Sequence, residues 1–328
     1  MHINSIEISS SDVPVPILNC ITCQSTSSYL VNEGEHLAFT GTCLNCDPTD
    51  TKYYEWSVYT LDSSSNRVQL SITSAMSTTG INSENFVITA GNLPATNSFY
   101  IFKLEISKTN TVVTLQGETE LILKANSKAT GGTCSLLTST AIDPLIDQVE
   151  ISCTGYSDPD NVNGELNYKI VSHSKDSAST DESVVIYYGT LTSPAFYLAP
   201  WPGLARTAVN IKVYVVDEDG ADTLSLDTNV TMSSTVTFGN QLSFVQTHTT
   251  TTLINLVNDN NPTALLQYGI ALIHEMNEIS RQEYATPTYS HVDDRNTVRN
   301  RITLSILGLP LETIYQQQQM AFILNHLT

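Results

Sequence analysis

Cys20, Cys23, Cys43 and Cys46 stand as C-x2-C, nineteen residues, C-x2-C. That spacing suits a tetrahedral zinc ion held by four thiolates. The other two cysteines, Cys134 and Cys153, repeat the outer spacing with one thiol at each end. Two thiols cannot assemble four zinc ligands, whereas a disulfide needs only two thiols at matched positions and so fits both halves. A Cys134–Cys153 bridge is therefore expected. The first four cysteines allow three pairings, and all three stay open. An intracellular scaffold stabilised by zinc on Cys20, Cys23, Cys43 and Cys46 is the competing reading.

Carboxylates gather at two further places, Asp158-Pro159-Asp160 and Asp217-Glu218-Asp219-Gly220, with Asp222 close behind. In an immunoglobulin-like sandwich, loops of this kind can lie at one end. Calcium takes six to eight oxygens, and Asp158, Asp160, Asp217 and Asp219 would supply several. The plainer reading is that Asp, Pro and Gly are chosen for turn geometry, and it is the one expected here. Asn229-Val230-Thr231 is a glycosylation acceptor. The seven histidines form no H-x3-H pair, and no G-x-S-x-G, Walker or G-x-G-x-x-G pattern occurs. No catalysis and no cofactor other than calcium is expected. His274, Tyr187, Tyr188 and Trp201 read as packing residues rather than as a base or binding aromatics.

The chain of 328 residues carries 14 Lys plus Arg against 33 Asp plus Glu, a formal charge of −19. That sign opposes a phosphate backbone and argues against nucleic acid as a partner. No apolar run reaches the roughly 18 residues that mark a membrane-spanning helix. Met1-His2-Ile3-Asn4-Ser5 lacks the basic start and apolar stretch of a signal peptide. The expectation is either a cytosolic protein or a piece of a larger secreted or membrane chain.

The elements that must position these residues occur twice. Cys43 and Cys153 are 110 positions apart, as are Phe86 and Phe196; Asp47 and Asp158 are 111 apart, as are Cys23 and Cys134. These offsets predict a β-rich unit of about 110 residues used in tandem. In the first, Tyr54 to Tyr59 alternates about Trp56. Tyr100, Phe102, Leu104 and Ile106 share one strand face. In the second, Leu166 to Val171 takes the place of the Trp56 strand, and Ile211, Val213 and Val215 alternate. A polar loop, Ser172 to Ser183, intervenes. After about residue 233 the pattern turns helical. Asn261 and Pro262 signal a helix start, followed by Leu265, Leu266, Gly269, Leu272, Ile273 and Met276 at three- and four-residue steps. Further helices follow over Val298–Ile306 and Leu311–Leu327. The expected division is a sandwich over 17–126, a second over 129–235, a linker over 236–261 and a helical region over 262–328. The fold class is mainly β: two immunoglobulin- or fibronectin-III-like sandwiches with a small α-helical region behind them.

The order Cys20-Ile21-Thr22-Cys23, Cys43-Leu44-Asn45-Cys46 with Trp56 soon after, Gly131-Gly132-Thr133-Cys134, Cys153-Thr154-Gly155-Tyr156-Ser157-Asp158 and Asp219-Gly220-Ala221 resembles the receptor-for-egg-jelly (REJ) module of polycystin-family receptors. The resemblance covers about residues 17–235. Tyr268 to Glu278 resembles the helical region that in that family leads into a GAIN domain. It implies a non-catalytic module on the extracellular side of the plasma membrane, serving ligand binding, adhesion or force transmission. The implied partner is an extracellular protein or glycan, and the membrane would be reached through other parts of the parent chain. A secreted adhesion or decoy protein is the alternative. His326-Leu327-Thr328 matches the tripeptide at which GAIN domains cleave themselves. The residues before it, Gln316 to Phe322, lack the family's cysteines and tryptophans there, so no cleavage chemistry is assigned.

Overall fold

The computed structural model describes residues 13–23, 30–32, 34–62, 64–93, 99–109, 114–138, 141–174, 182–203, 207–233, 236, 238–285 and 291–327. Most of the expected loop 172–183, the tail at Thr328 and the start at Met1-His2 lie outside the described residues. The chain divides into two compact units, 1–127 and 128–328.

The first unit holds β1 (Pro16–Cys20), β2 (Leu30–Val31), β3 (Leu37–Cys43), β4 (Thr51–Leu61), β5 (Arg67–Leu70), β6 (Asn85–Ile88), β7 (Phe99–Thr109) and β8 (Thr114–Ala125). They form two sheets, ordered β1-β3-β6 and β2-β8-β7-β4-β5. The alternating apolar residues close the space between them: Trp56, Val58, Phe102, Leu104 and Ile106 meet Phe39, Phe86 and Ile88 in one core. Trp56 stacks on Phe86 with ring centroids 5.2 Å apart and donates its indole N–H to the Ser83 carbonyl at 2.8 Å. A buried indole needs that acceptor. Gly41 makes room beneath it, since a Cβ there would collide with Leu104 Cδ2.

The second unit repeats the plan. It holds β9 (Thr133–Leu136), β10 (Gln148–Thr154), β11 (Asn167–His173), β12 (Ser183–Gly189), β13 (Ala195–Tyr197), β14 (Ala208–Val216) and β15 (Asp222–Thr231). The sheet orders are β13-β10-β9 and β12-β11-β14-β15. Register confirms the equivalence: Phe86 lies opposite Phe39 in the first unit, and Phe196 opposite Val149 in the second. Trp56 faces Leu104 across its ladder, as Tyr168 faces Val215. One landmark does not correspond. Cys43 lies opposite Pro16, whereas Cys153 lies opposite Cys134. The register counterpart of Cys134 is thus Pro16, not Cys23.

The expected linker over 236–261 is corrected by the structure, for α1 (Phe238–Thr250) and α2 (Thr252–Asn258) occupy most of it. Val245 and Leu253 of these helices are fully buried. The polar threonines that suggest a linker fit helix surfaces: Thr247, Thr250 and Thr251 each return a hydroxyl hydrogen bond to the preceding turn. Three more helices follow, α3 (Pro262–Ala285), α4 (Val292–Ile306) and α5 (Ile314–Asn325). Asn261 Oδ1 accepts the Ala264 N–H at 3.0 Å and Pro262 opens α3. Thr313 and Gln316 close a reciprocal capping box on α5.

The helices share a hydrophobic core with the second sandwich. Val149, Ile170, Phe196, Trp201 and Val213 join Leu266, Ile273, Met276, Ile302 and Ile323 in one cluster. Helix α3 is buried on every side from Leu265 to Met276, so its first three turns do not show the polar face that an amphipathic helix would. Its neighbours explain this: β12, β13 and the other four helices all pack against it. No helix among the described residues is long and apolar enough to cross a membrane.

Candidate functional site

The ladder between β1 and β3 decides the fate of the first four cysteines. Cys20 lies opposite Phe39 and Cys43 opposite Pro16, so the two C-x2-C turns sit at opposite ends of one antiparallel strand pair. Four rungs separate them, about 13 Å at the usual strand rise. That is far beyond the reach of one zinc ion, whose bonds to sulfur are about 2.3 Å. The turns close on themselves instead, as Cys20–Cys23 and Cys43–Cys46, and Cys134 is joined to Cys153 across its ladder. The zinc alternative fails on this register. The Cys43–Cys46 turn also positions Asn45, whose side chain accepts the Val15 N–H at 2.8 Å and donates to the Val13 carbonyl at 2.7 Å. That side chain thereby continues the sheet beyond Cys43.

The two acidic turns of the second unit do come together, since Asn161 Nδ2 donates to Glu218 Oε2 at 3.0 Å. Asp158 and Asp217 are both buried. Each serves its own turn. Asp158 Oδ1 accepts the Asp160 N–H at 2.8 Å, and Asp217 Oδ1 accepts the Ala221 N–H at 2.8 Å. Asp158 Oδ2 is buried without a hydrogen-bond partner. Among the described residues, no group of three or more His, Cys, Asp or Glu side chains is placed to hold a metal ion. Asn229 is exposed on β15, an edge strand, where its Oδ1 accepts from Asn210 Nδ2 at 3.2 Å.

The densest chemistry lies where sequence reasoning placed only packing, along the seam between the second sandwich and its helices. Trp201 is buried against the His274 ring with centroids 4.4 Å apart, and Phe322 of α5 meets both rings edge-on. His274 reaches the Ala199 carbonyl through Nδ1 at 3.5 Å, while its Nε2 is buried and unpartnered. Burial pushes this imidazole down to about 4, and neighbouring His326 adds to the shift. Glu278 ties α3 to the loop after β13. Its carboxylate accepts from the Gly203 N–H at 2.8 Å and from Arg281 and Gln282. Burial alone would raise its pKa, but these hydrogen bonds outweigh it and hold the group at about 2. Tyr268 donates to the Leu145 carbonyl and meets His248 Nδ1 at 2.6 Å. Leu145 sits at φ +66°, a costly conformation for a branched residue, pinned here by burial and that contact.

One side chain seals a sheet edge. At the end of its sheet, β12 carries an extra residue, Ile186, between the pairs Ile170–Tyr187 and Val171–Val185. Gln319 of α5 donates its amide to the Val185 carbonyl at 2.9 Å and to the Ile186 carbonyl at 3.0 Å. Tyr315 stacks on Tyr188 beside it, with centroids 3.9 Å apart. The sequence did not mark it, because Gln319 is one of four consecutive glutamines and shares the buried face of α5 with Gln316 and Ile323.

A twice-repeated sandwich with this cysteine plan, backed by helices, defines a class. The sequence model of the REJ domain matches residues 4–271, and the chain belongs to that family. Human polycystin-1 is 27% identical to it over 326 residues, 97% of this chain, which spans 7% of that relative's length. Among solved structures, the fibronectin(III)-like modules of Clostridium thermocellum CbhA align over 66% of this chain and 94% of theirs, at 10% identity and a TM-score of 0.30. The chicken CNTN1 FN1–FN3 domains align over 62% of this chain and 65% of that one, at 11% identity and 0.31. Structural likenesses of that size say nothing about function.

Proposed function

We propose that this chain is a non-catalytic module on the extracellular side of a polycystin-like receptor, and that it carries load between a bound protein or glycan and the parent chain. The observation behind this reading is the single hydrophobic core shared by the second sandwich and all five helices. A core of that kind resists shear as one body, whereas a helical region on a linker would yield before it passed on force. The acids Asp158, Asp160, Asp217 and Asp219 act in this reading as turn caps rather than as a calcium site, and Asn229 is an accessible glycan acceptor.

Pulling the whole chain by its two ends in optical tweezers tests the proposal. Two cooperative unfolding steps are expected, one for 1–127 and one for 128–328 with its helices included. Release of α1–α5 in a separate step at lower force would refute a load-bearing role.

A further inference from the structure

Four of the six arginines of this acidic chain fall between residues 281 and 301. Two of them, Arg295 and Arg299, lie one turn apart on the stripe of α4 that continues to Ile302 and Ile306. Opposite them α3 offers Ser280 and Glu283. Arg295 pairs with the buried Glu283 carboxylate. Arg299 has no such partner: its Nη2 donates to Ser280 Oγ at 3.1 Å, and its Nε is buried without an acceptor. The Ser280 hydroxyl itself donates to the Met276 carbonyl. No carboxylate among the described residues pairs with Arg299, and burial followed by the neighbouring Arg295 charge lowers its pKa. A partly buried guanidinium without a counter-ion is costly unless something supplies one. Both arginines keep some solvent exposure.

We propose that the α3–α4 seam at Arg295 and Arg299 is an oxyanion-binding site. The planar fork of a guanidinium matches the paired oxygens of carboxylate, sulfate and phosphate alike. The bound group supplies the negative charge that Arg299 lacks, while Glu283 remains with Arg295. This site is independent of the load-bearing role.

Thermal unfolding of the full chain in sulfate, phosphate or acetate, each compared with chloride at equal ionic strength, tests it. With the anion at tenfold over its Kd, Tm is expected to rise by about 3–5 °C. A rise in acetate as well as in sulfate and phosphate identifies a carboxylate as sufficient, and a rise in the latter two alone identifies a dianion. Sulfate also stabilises proteins through exclusion from their surface, so Arg299→Met is the necessary control. That variant should unfold at a higher temperature than wild type in chloride, because the unpaired charge is gone, and should lose the specific rise. Equal anion shifts in wild type and variant overturn the proposal. Should the variant fail to fold, calorimetric titration of sulfate into wild type decides. A saturable one-site isotherm supports the site, and no heat at millimolar sulfate refutes it.

Discussion

At the scale of single residues, His274 sets the response to acid. The unfolded chain takes up this proton near pH 6.5, but the folded imidazole does so only at about 4. The native state therefore keeps its full stability above pH 6.5 and loses it as the pH falls towards 4. The loss at pH 4 is about 3 kcal/mol, from a shift of that size in a fully buried group. His248, also lowered chiefly by burial, works in the same direction. Glu278, held at about 2 in the folded chain, adds a loss in the same direction once the pH falls through about 4.5, where the unfolded chain takes up its proton. Urea midpoints measured between pH 7 and pH 5, above the range where the unfolded chain protonates its carboxylates, should fall for wild type and fall much less for His274→Leu, which keeps the His248 contribution. Parallel slopes would show that His274 is not the sensor. The residue types were visible in the sequence, and His274 was legible as a helix position. That it is roofed by Trp201 and Phe322 was not, because the three are joined by tertiary packing across many residues of chain.

At the scale of elements, the exposed edge of β12 is managed by α5. A sheet edge bearing a bulge presents unpaired carbonyls, which cost free energy once water is excluded from them. Gln319 meets two of these with one amide group. Gln319→Leu preserves volume but leaves both carbonyls without a donor, so a loss of about 1–3 kcal/mol is expected in urea denaturation. Faster amide exchange along β12 should accompany it. A change under about 0.5 kcal/mol would mean that water reaches the bulge. The alternation of β7 and the caps at Asn261 and Thr313 are local features, and sequence periodicity and cap chemistry found them or their helices. Strand pairing and edge protection join distant segments. Periodicity says which face of an element is apolar, not which partner covers it.

At the scale of the whole molecule, the second sandwich and the helices stand or fall together. Tyr197 meets Tyr268 edge-on at 4.8 Å, and Trp201 and Tyr188 likewise lean on helical residues. Residues 128–235 expressed without the helices should bind hydrophobic dye and unfold over a broad range, whereas 128–328 should unfold in one sharp transition. A sharp transition from 128–235 alone would restore the sandwich as a domain of its own.

The sequence by itself determined that β-rich units occur twice at an offset of about 110, that helices follow, and that Cys43 and Cys153, with the turn acids Asp47 and Asp158, mark corresponding places. Those properties are written in local alternation, turn residues and spacing. Tertiary structure alone decided that Cys43 faces Pro16 and so cannot share a metal with Cys20. It also decided that the expected linker is helical and anchored in the core through Val245 and Leu253, and that no carboxylate among the described residues pairs with Arg299. Each of these depends on which distant residues are brought into register, and a linear pattern does not carry that information.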